Sequence, residues 1–193
     1  MASIKICSIT GETKCKCLHK QDGVSIPHPK ETMRKLFTDH AVFTKMVITA
    51  VLDGRPEADS LVKRLLNNQV EIGDYLGHYI GPAYGKAVTD LLTEHIKRAS
   101  GILTAVSKGV DPQPAVQSFF ANVEDVTQGL VSIPGNKLSY EDVKTEFYQH
   151  AKFIIDLVNA HMNKLWDEEI RIYDAYYSHM LKFSDVLYMG LIH

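Results

Sequence analysis

The chain has 193 residues, of which 45% are hydrophobic and 23% are charged, and its formal net charge is −2. This length can bury a sizeable core within one domain, and the charge excludes the strongly basic balance of a general nucleic-acid binder. No apolar stretch approaches the roughly 20 residues of a membrane span, and residues 1–13 lack the apolar region of a secretory signal. We therefore expect an intracellular, cytoplasmic protein that binds neither nucleic acid nor membrane.

Residues 1–27 differ in composition from the rest of the chain. They contain all three cysteines and four lysines, and they show no helical periodicity. An odd number of cysteines argues against a disulfide framework and indicates a reducing compartment. We predict a non-helical tail through which the protein docks a partner or a second copy of itself. A zinc site at Cys15, Cys17 and His19 is the alternative, although zinc knuckles separate their cysteines by more residues.

Residues 28–193 show helical patterns nearly throughout, divided by prolines and glycines. Prolines mark the starts of helices and glycines their ends, because proline fits the first helical turn and glycine adopts the left-handed conformation that often ends a helix. Four glycines spaced by four residues, from Gly73 to Gly85, permit close contact between two helices. The predicted helices lie at about 29–52, 55–81, 82–109, 111–132, 139–163 and 166–190.

Three similar segments recur at even spacing along this helical region. Each ends in a histidine, at His40, His95 and His150, and the intervals are equal (95 − 40 = 55 and 150 − 95 = 55). Such self-similarity indicates repeated units that bury their apolar faces against one another. The fold we predict is all-α, an up-down bundle of six helices. Its three helical hairpins span residues 31–80, 83–132 and 139–190.

The first helix of each hairpin carries the repeated histidine, and the second helix carries a polar residue at the same height. Asn68, Asn122 and His179 lie about as far after their turns as the histidines lie before them, and helical rise then places each pair at one height. All four histidines lie on apolar stripes, which point into the bundle. We therefore predict that four histidines and two asparagines converge in one layer, with Glu71 and Asp125 one turn away.

This set of side chains suggests a binding site. Histidine with carboxylates suits a transition metal such as zinc, iron or manganese. The predicted metal ligands are His40, His95, His150, His179, Glu71 and Asp125, and the predicted ligand-binding residues are Asn68 and Asn122. The competing interpretation is that the histidines are structural and that each pairs with its neighbour to fix helix register. Because no nucleophile motif or phosphate-binding loop is present, we expect a non-catalytic protein.

Residues 36–46 resemble the opening motif of an uncharacterised family of all-helical, histidine-containing proteins from Bacillus-type bacteria. The segment reads LFTDHAVFTKM, where the family has L-W-x-x-H-x-x-W-T-R-M, and the similarity extends over residues 33–190. His40, Asn68, His95 and Asn122 match the family pattern, whereas His179 departs from it. The resemblance implies the fold and no activity. The tail lies outside the region of similarity. The alternative function is therefore that of a structural protein, a component of a larger particle that docks through residues 1–27.

Overall fold

The computed structural model of the protein describes residues 28–193, so the predictions for the tail lie outside the described residues. The described part is an up-down bundle of six helices, as predicted. The helix bounds differ from the predicted ones by at most three residues. The helices are α1 Pro29–Leu52, α2 Ala58–Ile80, α3 Pro82–Ser107, α4 Gln113–Val131, α5 Tyr140–Met162 and α6 Trp166–Leu191.

The helix starts follow from local chemistry. At α1 the His28 ring accepts a hydrogen bond from the Lys30 backbone, and the Glu31 carboxylate accepts one from the His28 backbone. These bonds satisfy amides that have no partner inside the helix. α2 begins later than predicted because Arg55 and the two residues after it form a turn, in which the Ala58 amide donates to the Arg55 carbonyl.

The turns inside the three predicted hairpins share one backbone feature. Gly54, Gly109 and Lys164 have φ values of 65°, 66° and 57°, which are left-handed conformations at the end of a helix. Glycine adopts this conformation at little cost, whereas a residue with a Cβ is strained by about 1–2 kcal/mol. Each of these residues lies 14 positions after its repeated histidine (54 − 40, 109 − 95 and 164 − 150), so the repeat places Lys164 in the same backbone role as the two glycines.

Each helix packs against its neighbours in the chain, and α1 also packs against α6, which closes the bundle. This arrangement is compatible with three hairpins. α2 and α3 approach closely at their glycines, where a Cβ on Gly85 would lie 2.5 Å from the Gly73 carbonyl oxygen and 2.6 Å from the Cα of Gly77. The predicted close contact at these glycines is thus confirmed. Within residues 28–193, no helix combines the length and the hydrophobicity needed to cross a membrane.

Candidate functional site

Three of the predicted histidines meet at the centre of the bundle, each from a different helix. The ring centroids of His40 on α1 and His150 on α5 are 5.6 Å apart, and those of His95 on α3 and His150 are 5.3 Å apart. Their exposed fractions are only 6%, 2% and 3%. We call these three residues the histidine layer. It consists of the histidines at the repeated 55-residue spacing.

The two predicted histidine–asparagine pairs are both present. The Nδ1 of His95 lies 2.8 Å from the Oδ1 of Asn122, and the Nδ1 of His40 lies 3.3 Å from the Oδ1 of Asn68. Asn68 donates its amide hydrogen to the Leu36 carbonyl, which fixes the amide oxygen toward His40. Since an amide oxygen only accepts, the Nδ1 of His95 carries the proton, and its Nε2 carries the free lone pair. The Nδ1 of His40 lies between the Asn68 oxygen and the Nε2 donor of Gln69, which is 3.2 Å away.

The third pair differs from the prediction that His150 faces His179. The Nδ1 of His150 instead lies 3.2 Å from the Sδ of Met180, the next residue along α6. His179 contacts Glu146, with its Nδ1 3.3 Å from a carboxylate oxygen and its Nε2 3.1 Å from the backbone carbonyl. The prediction was wrong because adjacent helical residues point about 100° apart, and the packing of α6 turns Met180 toward His150.

The predicted carboxylates do not join the histidine layer. Glu71 is ion-paired with Arg64 at 3.2 Å, and Asp125, with an exposed side chain, lies 3.5 Å from Arg98. Each follows its asparagine by three residues, which turns its side chain about 60° away from the direction of the asparagine. A charged carboxylate is also far more stable beside an arginine at the surface than in an apolar core. Our expectation that both lie near the layer was therefore wrong.

Burial controls the protonation of the histidine layer. It lowers the pKa of His40 and of His95 to about 4. The pKa of His150 is also well below its usual value, first because of burial and then because of the neighbouring His95 and His40 rings. Removing an imidazolium from water is costly, so all three rings are neutral at neutral pH, which is the form that binds metal ions.

One nitrogen of the layer has no hydrogen-bond partner. The Nε2 of His95 is buried without one, as are the hydroxyl oxygens of Thr44 and Tyr176. Two cavities of about 30 Å³ each adjoin the layer, and all three histidines line both of them. Each cavity has the volume of about one water molecule in the liquid. The first is otherwise lined mainly by apolar side chains, together with Gln69 and Met180.

Sequence reasoning missed two residues of this site, Gln69 and Met180. The Nε2 of Gln69 lies 3.2 Å from His40 and donates to the Leu65 carbonyl, and Gln69 is fully buried. Its position directly after Asn68 gave no signal, because adjacent helical positions rarely face one partner. Met180 lies on an apolar stripe, where a thioether resembles any other core side chain.

Another buried histidine, His161, lies apart from the layer, near the C-terminal end of α5. Its Nδ1 is 3.0 Å from Glu169 on α6, and its Nε2 is 2.9 Å from Asp53 at the end of α1. Lys45 completes the cluster through a 2.6 Å contact with Glu169. These contacts join three helix ends, and the sequence pattern did not single them out.

The layer has no metal-binding geometry of the usual kind. Among residues 28–193, no group of three or more histidine, cysteine, aspartate or glutamate side chains is arranged to hold a metal ion.

Comparison of the chain with protein-family models, with characterised proteins and with solved structures found no match. The resemblance to the Bacillus-type family therefore stays a prediction.

Proposed function

We propose that this protein is a non-catalytic binding protein whose histidine layer takes up one transition-metal ion. The observation that supports this most directly is the Nε2 of His95, which is buried without a partner while its Nδ1 is engaged by Asn122. An unsatisfied buried polar atom costs about 1–3 kcal/mol. A ligand at this nitrogen would remove that cost.

The size of the cavities selects among possible ligands. Each holds about 30 Å³, whereas pockets for small organic molecules usually measure about 300 Å³ or more. A metabolite does not fit without repacking the core. A single metal ion fits, and small rotations of the rings would bring their unprotonated nitrogens toward it.

The surroundings of the rings also support a metal site. Histidines that bind metal ions usually donate their second ring nitrogen to a fixed acceptor, which sets the tautomer and the ring orientation. His95 has this arrangement through Asn122, and the Nδ1 of His40 is held between Asn68 and Gln69. The rings are neutral at neutral pH, so protons do not compete with a metal ion there.

The alternative is a structural protein in which the layer only fixes helix register. The absence of a preformed metal-binding group among residues 28–193 favours this alternative. So does the fact that two of the three histidines have a direct asparagine partner. In the alternative, interaction with other proteins depends on residues 1–27, outside the described part.

Metal titration of the full, untagged chain tests the proposal. Cys7, Cys15 and Cys17 are changed to Ser, so that thiolates in residues 1–27 do not bind the metal. We expect one Co²⁺ ion per chain, detected by its visible absorption, and loss of this binding in His95→Ala. His78→Gln is the matched control, because His78 is exposed on α2 and its hydrogen bond is to a carbonyl of its own helix.

Elemental analysis of the same protein as purified gives a second measurement. A stoichiometric metal that disappears in His95→Ala but persists in His78→Gln supports the proposal. Protein that is free of metal, and that stays so through titrations with both Co²⁺ and Cu(I), overturns it in favour of structural histidine pairs.

A further inference from the structure

We propose that the ion taken up by the histidine layer is Cu(I), bound by the thioether of Met180 together with the imidazoles of His150 and His95. This inference rests on the proposed function, because it identifies the metal for the same site. It replaces the zinc, iron or manganese expected from the sequence, since that expectation depended on carboxylates that lie elsewhere.

The contact between His150 and Met180 is the first argument. The Nδ1 and Sδ atoms are 3.2 Å apart, which is less than the sum of a metal–nitrogen bond of about 2.0 Å and a metal–sulfur bond of about 2.3 Å. This separation is compatible with one ion bound to both atoms. A thioether is a weak hydrogen-bond acceptor, so this pairing satisfies a buried imidazole poorly unless a metal is present. A thioether is a soft ligand, and Cu(I) is among the metals that soft ligands favour.

Charge is the second argument. The described residues that line the first cavity include no aspartate or glutamate. The nearest acidic residue in sequence to His150 is Glu146, one helical turn away, and it is engaged by His179 and by Lys182 at 2.6 Å. The Born cost of moving an ion into a low-dielectric medium rises with the square of its charge. A monovalent ion therefore meets about a quarter of the cost of a divalent ion of equal radius.

Coordination number is the third argument. No three histidine or acidic side chains of the described residues are arranged around one point, and zinc, iron and manganese usually need at least that many protein ligands. Cu(I) differs from these ions because it accepts a thioether as one of its ligands. Two imidazoles and one thioether suffice for it, and the free Nε2 of His95 supplies the second imidazole. Met180 is 3% exposed, so the thioether is shielded from bulk water, in which free Cu(I) disproportionates.

The test is an anaerobic titration of Cu(I) against a chromophoric chelator such as bicinchoninate, using the full chain with the three Cys→Ser changes. We expect one Cu(I) per chain. Met180→Leu should weaken Cu(I) binding by about tenfold or more while leaving the affinity for Co²⁺ within about twofold. Met33→Leu is the matched control, because Met33 is a fully buried methionine that does not line the cavities. It should change neither affinity.

X-ray absorption at the copper edge provides a readout that a packing effect does not move. In the cysteine-free chain, a sulfur neighbour of copper must come from methionine, and it should disappear in Met180→Leu. Equal Cu(I) affinity in Met180→Leu and wild type, absence of the sulfur neighbour, or tighter binding of Zn²⁺ than of Cu(I) overturns the copper inference alone. Absence of both Co²⁺ and Cu(I) binding overturns it together with the proposed function.

Discussion

Lowering the pH should unfold the metal-free bundle by protonating the histidine layer. His40 and His95 have pKa values of about 4 in the folded protein, against 6.5 for a free histidine, and burial is the first cause. A difference of about 2.5 pH units corresponds to roughly 3 kcal/mol for each group. Protonation of both histidines should therefore lower the free energy of unfolding by roughly 6 kcal/mol. This loss is comparable with the whole stability of a typical domain, about 5–15 kcal/mol.

The sign follows from proton binding. Below pH 6.5 the unfolded chain binds protons at these histidines that the folded chain does not bind, so acid favours unfolding. The stability is fully present above pH 6.5 and falls as the pH approaches 4. His150 contributes in the same direction, because its pKa is also lowered. Most carboxylates titrate below about pH 4.5, so unfolding between pH 5 and 6.5 reports mainly on histidines.

Helical circular dichroism, measured against pH at constant ionic strength in the presence of a chelator, checks this prediction. We expect cooperative loss of helix above pH 4. His95→Phe should move the midpoint to lower pH, because it removes one buried titrating group and keeps an aromatic ring. His78→Gln, at an exposed histidine, should leave the midpoint nearly unchanged. Full helicity at pH 4, or an NMR titration of the three layer histidines near pH 6.5 in the folded protein, would refute the reasoning.

Three further predictions concern stability, each measured by urea denaturation at neutral pH. Asn122→Leu should destabilise the bundle by about 1–3 kcal/mol, because it leaves the buried Nδ1–H of His95 without an acceptor; adding His95→Phe should recover part of this loss, and additive effects would contradict a direct pair. Lys164→Gly should stabilise the bundle by about 1 kcal/mol, since it relieves the left-handed backbone at φ 57°; an unchanged midpoint would show that this strain is already relaxed. Gly85→Ala should destabilise by about 1–3 kcal/mol because its Cβ would lie 2.6 Å from the backbone of α2, whereas Gly101→Ala, whose Cβ would approach nothing closer than 3.9 Å, should be neutral or stabilising; equal effects would refute the close-contact argument.

The fold was predictable because its determinants are local. Helix starts at Pro29 and Pro82 and helix ends at Gly54 and Gly109 follow from backbone conformations that these residues favour. Apolar residues at helical spacing then defined the faces that pack. The repeat extended this reasoning to Lys164, where residue type alone gives no sign of a left-handed conformation.

The candidate site was only partly predictable, because its details depend on how each helix is rotated about its axis. Counting residues from a turn fixes the height of a side chain to about one residue, and it correctly paired His95 with Asn122. It does not decide between neighbours such as His179 and Met180, which point about 100° apart. That choice is made by the packing of α6 against α1 and α5. The side-chain positions of Glu71 and Asp125 depend likewise on arginines. Glu71 pairs with Arg64 from an earlier turn of α2, and Asp125 lies near Arg98 of the neighbouring helix α3.

The layer is hard to explain by stability alone. Buried polar groups that form complete pairs can fix helix register at little net cost, and His40, whose Nδ1 is within reach of both Asn68 and Gln69, comes nearest to this description. His95 does not meet it, because one of its nitrogens is left without a partner, and His150 does not, because its nearest partner is a weak acceptor. Apolar side chains of similar size would fill these positions without either cost. The two incompletely satisfied histidines have centroids 5.3 Å apart and line the same cavities, so their unused hydrogen-bonding capacity is concentrated at one place. A ligand bound there satisfies both histidines at once, whereas a purely structural role requires two separate explanations.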